Sequence, residues 1–253
     1  MRLPEIDKWL DSVLDLERYS GADPSRNGIQ VENDGSDISR AAFAVDASLE
    51  TILRASEAGA GVLIVHHGLF WRDPVVVTGA HYRRIKALLD ANLALYAAHL
   101  PLDAHPEVGN NAGIAARLGL VDLESFGEWR GVRIGYKGVF ASPVSIDEAV
   151  RRLFPDGSKP LSILPFGPRE IRSAAVVSGG ATDEVHQAIA EGCDLFITGD
   201  VSHEIYHACL EQGISVISGG HYQTETVGVK LLAERLGRET ALDTVFIDVP
   251  TGL

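Results

Sequence analysis

Two adjacent histidines that close a short apolar segment are the residues around which a chemical site could form. Residues 61–71 read GVLIVHHGLFW, so an apolar run leads directly into His66 and His67. Such a run bounded by glycine predicts a buried parallel strand, and ligands bind beyond the carboxyl ends of these strands. Because successive strand side chains point to opposite faces, the two imidazoles could serve two centres. A lone histidine pair also occurs in ordinary loops, so a metal site requires further residues.

Histidine and carboxylate side chains recur at the ends of other predicted strands. His99 and Asp103 follow one strand in the stretch HLPLDAHPEVGNN, and Asp200 and His203 follow another. Because ligands collect at the carboxyl edge of an open α/β sheet, these side chains are candidates for one site. Imidazole together with carboxylate suits zinc, iron, manganese or nickel, and no nearby cysteine supplies a softer ligand.

His221 and Glu225 open the last long predicted helix, four residues apart. Side chains at this spacing share one helix face, so they could meet a single ion. A structural role is the alternative, because a carboxylate in the first turn of a helix is favourable for dipole reasons alone. The metal-ligand candidates from both halves of the chain are His66, His67, Asp103, His221 and Glu225. This set suffices for two divalent ions about 3.5–4 Å apart with a bridging carboxylate.

Strands alternate with helices of about ten residues, a pattern typical of βαβ units in a parallel sheet. Besides the histidine strand, strands are predicted over residues 29–31, 43–46, 93–98, 134–141, 174–177, 194–198, 214–217 and 245–249. Helices are predicted over residues 4–18, 49–57, 80–91, 110–118, 146–154, 183–191, 203–212 and 222–236. A polar break over residues 122–129 separates the two halves.

The two halves resemble each other in pattern. Residues 57–67 align with 190–200, 92–99 with 213–220, and 44–48 with 176–180. Chance similarity between βα units is the alternative, but three aligned segments in the same order favour a duplication. We therefore predict a first α/β repeat over residues 1–125, completed by 237–253, and a second over 126–236, with the dinuclear site between them.

Composition limits the class of protein. The 253 residues carry a net charge of −13, with 45% hydrophobic and 23% charged residues, which fits a globular protein. An acidic surface argues against general nucleic-acid or anionic-membrane binding. No signal pattern opens the chain, and no apolar run approaches a membrane span. Cys193 and Cys209 provide no disulfide framework, so a cytoplasmic setting is expected.

Several blocks of sequence resemble the Nif-three-like family, whose members are often named GTP cyclohydrolase 1 type 2 homologues. The blocks are NGIQVE at 27–32, AVDAS at 44–48, LIVHHGLFW at 63–71, YAAHLPLDAHPEVGNN at 96–111, TGD at 198–200 and GHYQTE at 220–225. The resemblance implies duplicated, intertwined three-layer α/β repeats with mostly parallel sheets, a dinuclear metal centre and a homohexameric ring. It also implies that this chain lacks the extra domain inserted in some longer members.

The same resemblance divides the ligands between the two ions. It implies that His67 and Asp103 bind one ion, that His66 and His221 bind the other, and that Glu225 bridges them. This division agrees with strand geometry, because the side chains of adjacent strand residues point to opposite faces of the sheet.

A site of this kind activates water and polarises a carbonyl or phosphoryl oxygen, so metal-assisted hydrolysis is expected, with His99 or His203 moving protons. His99 could equally be a buried structural histidine. The substrate would be a nucleotide or another phosphorylated small molecule. Its phosphate could dock at Ser178-Gly179-Gly180 or Ser218-Gly219-Gly220, although tight turns explain these glycines better. The alternatives are a non-catalytic metal-binding, metal-delivery or regulatory scaffold and an α/β protein without metal.

Overall fold

The computed structural model describes residues 1–253, which form two compact α/β units. The first unit comprises Met1–Leu102 and Val229–Val249, and the second comprises Asp103–Gly228 and Pro250–Leu253. Each unit contains one sheet and takes two segments of the chain. The predicted repeats divide the chain after residues 125 and 236, whereas these units divide it after residues 102 and 228. The reason is that the helix Asn110–Leu118 packs against strands of the second sheet.

The first unit is built on a five-stranded sheet in the order β1-β4-β3-β2-β11. Its strands are β1 (Gly28–Val31), β2 (Arg40–Asp46), β3 (Val62–His67), β4 (Ala94–Ala97) and β11 (Asp243–Phe246). Its helices are α1 (Leu3–Leu14), α2 (Leu16–Tyr19), α3 (Leu49–Glu57) and α4 (Gly79–Asp90). All the strands except β1 run parallel, which confirms the predicted parallel sheet for this unit.

The core of the first unit lies on one face of this sheet. Alternate strand residues such as Leu63 and Leu95 pack with Ile52 of α3 and Leu88 of α4, and all four are fully buried. These side chains hold β3 and β4 in register, so that His66, His67 and the residues after β4 meet at one edge of the sheet.

Tyr96 lies between two residues of that core and therefore points to the opposite face of β4. Burial, together with the charges of Asp7 and Asp11 on α1, raises the pKa of the Tyr96 hydroxyl. Helix α1 thus lies on the second face of the sheet, and the first unit has the three predicted layers.

The second unit contains a six-stranded sheet in the order β5-β6-β8-β9-β10-β7. Its strands are β5 (Leu120–Trp129), β6 (Val132–Val144), β7 (Ser162–Pro165), β8 (Ile171–Val177), β9 (Leu195–Thr198) and β10 (Ser215–Ser218). Its helices are α6 (Asn110–Leu118), α7 (Ile146–Leu153), α8 (Val185–Ala190) and α9 (Tyr206–Gln212). Two further helices, α5 (Leu100–Ala104) and α10 (His221–Glu239), begin in one unit and end in the other.

Only β8, β9 and β10 are parallel in the second sheet, whereas β5, β6 and β7 pair antiparallel. The prediction of mostly parallel sheets therefore holds for the first sheet, and the second is mixed. The expected polar break over 122–129 is wrong, because these residues belong to β5. Most β5 side chains are exposed, so the strand lacks an apolar signature, while the β6 ladder supplies its backbone partners.

Most other elements match the prediction within a few residues. Helices α3 and α6 have the predicted ends, and the helices expected over 183–191 and 203–212 begin as 3₁₀ turns at Thr182–Glu184 and His203–Ile205. The helix expected over 4–18 is interrupted at Asp15, whose φ is 50°. None of the helices combines the length and apolar character that crossing a bilayer requires. Both cysteines are buried free thiols.

Candidate metal centre

The first unit brings three imidazole rings together at the carboxyl edge of its sheet. His66 and His67 end β3, and His99 follows β4, the neighbouring parallel strand. Each ring offers one ligand nitrogen, and these atoms all lie within 4.8 Å of one another. His66 is fully buried, and the other two rings are half-buried. The three histidines therefore form a group that could hold a metal ion.

Each of these rings is oriented by an acceptor at Nδ1. His66 Nδ1 donates to the carbonyl oxygen of Ala98 at 3.0 Å, and His67 Nδ1 donates to Asp46 Oδ1 at 2.9 Å. The second contact follows from the register, since Asp46 ends β2 directly beside His67. A metal-binding histidine typically donates its second ring nitrogen to a carbonyl or carboxylate in this way. The arrangement selects Nε2 as the nitrogen that would face an ion.

Asp23 fixes the third ring and was not among the predicted site residues. His99 Nδ1 donates to Asp23 Oδ1 at 2.9 Å. The Asp23 side chain is fully buried and also accepts from Asn27 Nδ2 and from the backbone N–H groups of Ser25 and Leu100. Burial acts to raise the pKa of Asp23, but hydrogen bonds, with His99 foremost, hold that pKa below its ordinary value. The only sequence signal was the short Asx-type turn Asp23-Pro24-Ser25.

Asp23→Asn is expected to destabilise the protein by about 1–3 kcal/mol near neutral pH, because the new amide meets buried donors. The pKa of Asp23 is lower in the folded state than its unfolded value of 3.8. The ionised Asp23 therefore stabilises the folded protein above that pH, and this stabilisation is lost on further acidification. The difference in unfolding free energy between variant and wild type should therefore become smaller below that pH. Denaturant unfolding across this range measures it, with exposed Asp73→Asn as the control. A gap that does not change with pH would contradict the assignment.

The second unit joins His221, Glu225 and Asp200 in one contact chain. His221 begins α10 and Glu225 lies one turn further along the helix, with His221 Nε2 and Glu225 Oε1 3.2 Å apart. His221 Nδ1 donates to Asp200 Oδ2 at 2.8 Å, just beyond the end of β9. The hydrogen bond to Glu225 is the main cause that raises the pKa of His221 to about 9; burial opposes it and Asp200 adds to it. The predicted pairing on one helix face is thus observed.

Asp103 is held by the asparagine pair that follows it in sequence. Asn110 Nδ2 donates to Asp103 Oδ1 at 2.9 Å, and Ser178 Oγ donates to the same oxygen at 3.1 Å. Asn111 accepts from the backbone N–H of Ser178 at 2.6 Å. All four residues are buried. This network fixes the Asp103 carboxylate beside Ser178, at the carboxyl end of β8.

Gly179, the next residue, leaves space for the Glu225 carboxylate. A Cβ atom at Gly179 would lie 2.2 Å from Glu225 Oε1 and 3.4 Å from His221 Nε2, and the residue has φ +66°. Only glycine therefore combines this backbone conformation with this approach. Asp103, His221 and Glu225 are in this way gathered around the turn after β8.

Most of the backbone amides in the two glycine turns are already paired within the protein. Within the turn after β8, the N–H of Ser178 donates to Asn111 and that of Gly179 donates to Thr224. The N–H groups of Gly219 and Gly220 donate to the carbonyls of Thr198 and Gly199. This pairing favours the explanation that the glycines serve tight turns over the explanation that they bind phosphate.

The histidine and carboxylate side chains described above have the chemistry of ligands for a divalent metal ion. It consists of imidazole nitrogens and carboxylate oxygens with oriented outer partners, which suits zinc, iron, manganese or nickel. The space kept open by Gly179 supports the same fit.

His203 is not part of either group. It lies exposed at the start of a 3₁₀ turn, and Asp200, which was expected to act with it, instead contacts His221. Asp46 ends the strand predicted over 43–46 and Asp200 follows another predicted strand, but their roles as partners of His67 and His221 depend on the strand register and the fold.

Comparisons with known proteins identify relatives of this chain. The family model Duf34/NIF3 (NGG1p interacting factor 3) matches residues 1–252. Two curated relatives named GTP cyclohydrolase 1 type 2 homolog come from Treponema pallidum, 43% identical over 100% of both chains, and Pyrococcus horikoshii, 45% identical over 98% of both. The crystal structure of TTHA1606 from Thermus thermophilus is similar, with 39% identity and a TM-score of 0.91 over 100% of both chains.

Proposed function

This chain belongs to the Duf34/NIF3 family, and from that membership we propose that it is a metal-dependent hydrolase acting on a nucleotide or another phosphorylated small molecule. The proposed ligands of two divalent ions are His66, His67, Asp103, His221 and Glu225. The observation that carries the proposal is that all three histidines in this set have Nδ1 directed at an oxygen acceptor. Such preorientation of the second ring nitrogen is typical of metal ligands.

Bound ions would activate a water molecule and polarise the oxygen that develops charge. The chain's own contribution to proton transfer is His99. Its ring lies 4.9 Å from that of His66 and 5.6 Å from that of His67, and Asp23 holds Nδ1 so that Nε2 is the exchanging nitrogen. His203, the other candidate, lacks a comparable orienting carboxylate. We therefore assign the proton-transfer role to His99.

His99→Ala tests this role. We expect the variant to keep the wild-type metal content and to lose about 10²–10⁴-fold in turnover. Elemental analysis gives the metal content, and a panel of nucleotides and phosphoesters assayed with metal-loaded protein gives turnover. Loss of metal from the variant would make His99 a ligand instead of a proton carrier. Absence of turnover on the whole panel would contradict the hydrolase proposal and favour the non-catalytic metal-binding scaffold.

Metal affinity is expected to rise with pH, because an imidazolium cannot bind an ion. With a His221 pKa of about 9 in the metal-free protein, binding near neutral pH must displace this proton. The apparent affinity should increase by up to about tenfold per pH unit from neutral pH toward 9. Asp200→Asn removes one cause of the raised pKa and should shift the rise to lower pH. Competition with a chelating dye measures both, and a flat profile would exclude His221 as a ligand.

The oligomeric state and the cellular location are predictions that rest on family resemblance and composition. We propose a homohexameric ring, which light scattering on the purified chain would detect, and a cytoplasmic location.

A further inference from the structure

A cavity in the first unit is a candidate for an anion site. It has a volume of about 260 Å³ and lies between the end of α2 and the start of β1. Its polar lining residues are Glu17, Ser20, Asp23, Ser25, Arg26, Asn27 and Arg72.

Two arginines, Arg26 and Arg72, line this cavity in a chain of net charge −13. Neither Arg26 nor Arg72 forms an ion pair with a carboxylate, whereas Arg40, Arg54 and Arg152 each do. Arg72 is positioned by one hydrogen bond, from its guanidinium to the carbonyl of Gly21 at 3.2 Å. Its remaining donors and those of Arg26 stay available for an anion.

Ser25 supplies a second, independent indication of a ligand. The residue is only 7% exposed, and its hydroxyl has no hydrogen-bond partner. A buried hydroxyl without a partner is unfavourable, so it marks a place where an acceptor is missing. Because Ser25 lines the cavity beside Arg26, an anion there could accept from both residues.

Asp23 and Glu17 equal the two arginines in formal charge, but neither carboxylate occupies the arginine donors. The oxygens of Asp23 already accept from His99, Asn27 and two backbone N–H groups. Glu17 is exposed and makes no ion pair with either arginine.

We propose that this cavity binds the phosphate group of a phosphorylated small molecule. Two guanidinium groups offer more donors than a carboxylate can use, and they match the several oxygens of a phosphate. The position is also suitable, since Asp23 forms part of the cavity and orients His99. Trp71, next to Arg72, pairs with Ser25 and contacts the His99 ring at 5.2 Å. Phosphate binding stands without the proposed function, whereas the cavity's role in holding a substrate rests on it.

Titration calorimetry of the full-length protein with inorganic phosphate at constant ionic strength tests the site. Arg26→Ala/Arg72→Ala is expected to weaken binding at least about tenfold. The control Arg83→Ala/Arg84→Ala removes the same charge from α4, outside the cavity, and should stay within about twofold of wild type because diffuse surface charge is largely screened. Repeating the titrations with excess chelator removes phosphate binding to metal ions.

Ser25→Ala provides a readout that a general charge effect would not give. It should raise the melting temperature without phosphate, because a buried unpaired hydroxyl is lost, and should reduce the stabilisation that phosphate confers.

Three results would overturn the proposal: no phosphate binding by wild type, equal loss in both arginine pairs, or binding that disappears with chelator. Phosphate binding by wild type, selective loss in Arg26→Ala/Arg72→Ala and persistence in chelator support it. If the protein binds phosphate in chelator but hydrolyses no substrate, the phosphate site is supported and the hydrolase proposal fails. Failure of one proposal can therefore be distinguished from failure of the other.

Discussion

Glu225→Ala is expected to weaken metal binding by at least about a hundredfold and to abolish turnover, the largest effect of any single ligand substitution. Glu225 is only 3% exposed, and its Oε1 lies 3.2 Å from His221 Nε2. Its removal takes away a ligand proposed to bridge both ions and also the main partner of His221. Metal content by elemental analysis and activity on the substrate panel measure the two effects together.

Glu234→Ala is the matched control, because Glu234 lies on the same helix with its side chain exposed. It should keep both metal and activity. Circular dichroism of both variants separates loss of ligand from loss of fold. Wild-type metal content in folded Glu225→Ala would show that the carboxylate is structural, which is the helix-dipole explanation that sequence alone left open.

The fold was predictable wherever burial leaves a periodic signal. The apolar run before His66 predicted β3, and the helices predicted over 49–57 and 110–118 match α3 and α6 at both ends. Strand β5 was missed because its side chains are largely exposed and its stability comes from backbone pairing with β6. Pairing partners are non-local, so composition within a window cannot show them.

The side chains of the candidate site were recognisable in the sequence to a similar extent. Its histidines and carboxylates stand at strand ends and at helical spacing, which sequence displays directly. Asp23 could not be found in this way, because it lies 76 residues before His99 and reaches it only through the packing of a loop. The roles of Asp46 and Asp200 likewise depend on which strands are neighbours. The residue types of candidate ligands are therefore readable from sequence, whereas the partners that orient them depend on register.

Gly179→Ala is expected to reduce metal affinity sharply without touching any proposed ligand. The new Cβ would lie 2.2 Å from Glu225 Oε1, a distance that no real contact tolerates. The carboxylate is the end of a side chain and gives way more easily than backbone, so the collision should displace Glu225 from its place beside His221. The left-handed φ of +66° adds a backbone cost of about 1 kcal/mol.

Gly192→Ala separates these two effects, because Gly192 has a similar φ of +70° but nothing within 4 Å of an added Cβ. Both variants should lose about 1 kcal/mol of unfolding free energy through the backbone, measured in chelator by denaturant titration. Only Gly179→Ala should also lose metal, by at least about tenfold in a competition assay. Equal metal affinity in the two variants would mean that the space at Gly179 serves the turn alone. A selective loss would tie the glycine after β8 to the placement of the Glu225 carboxylate.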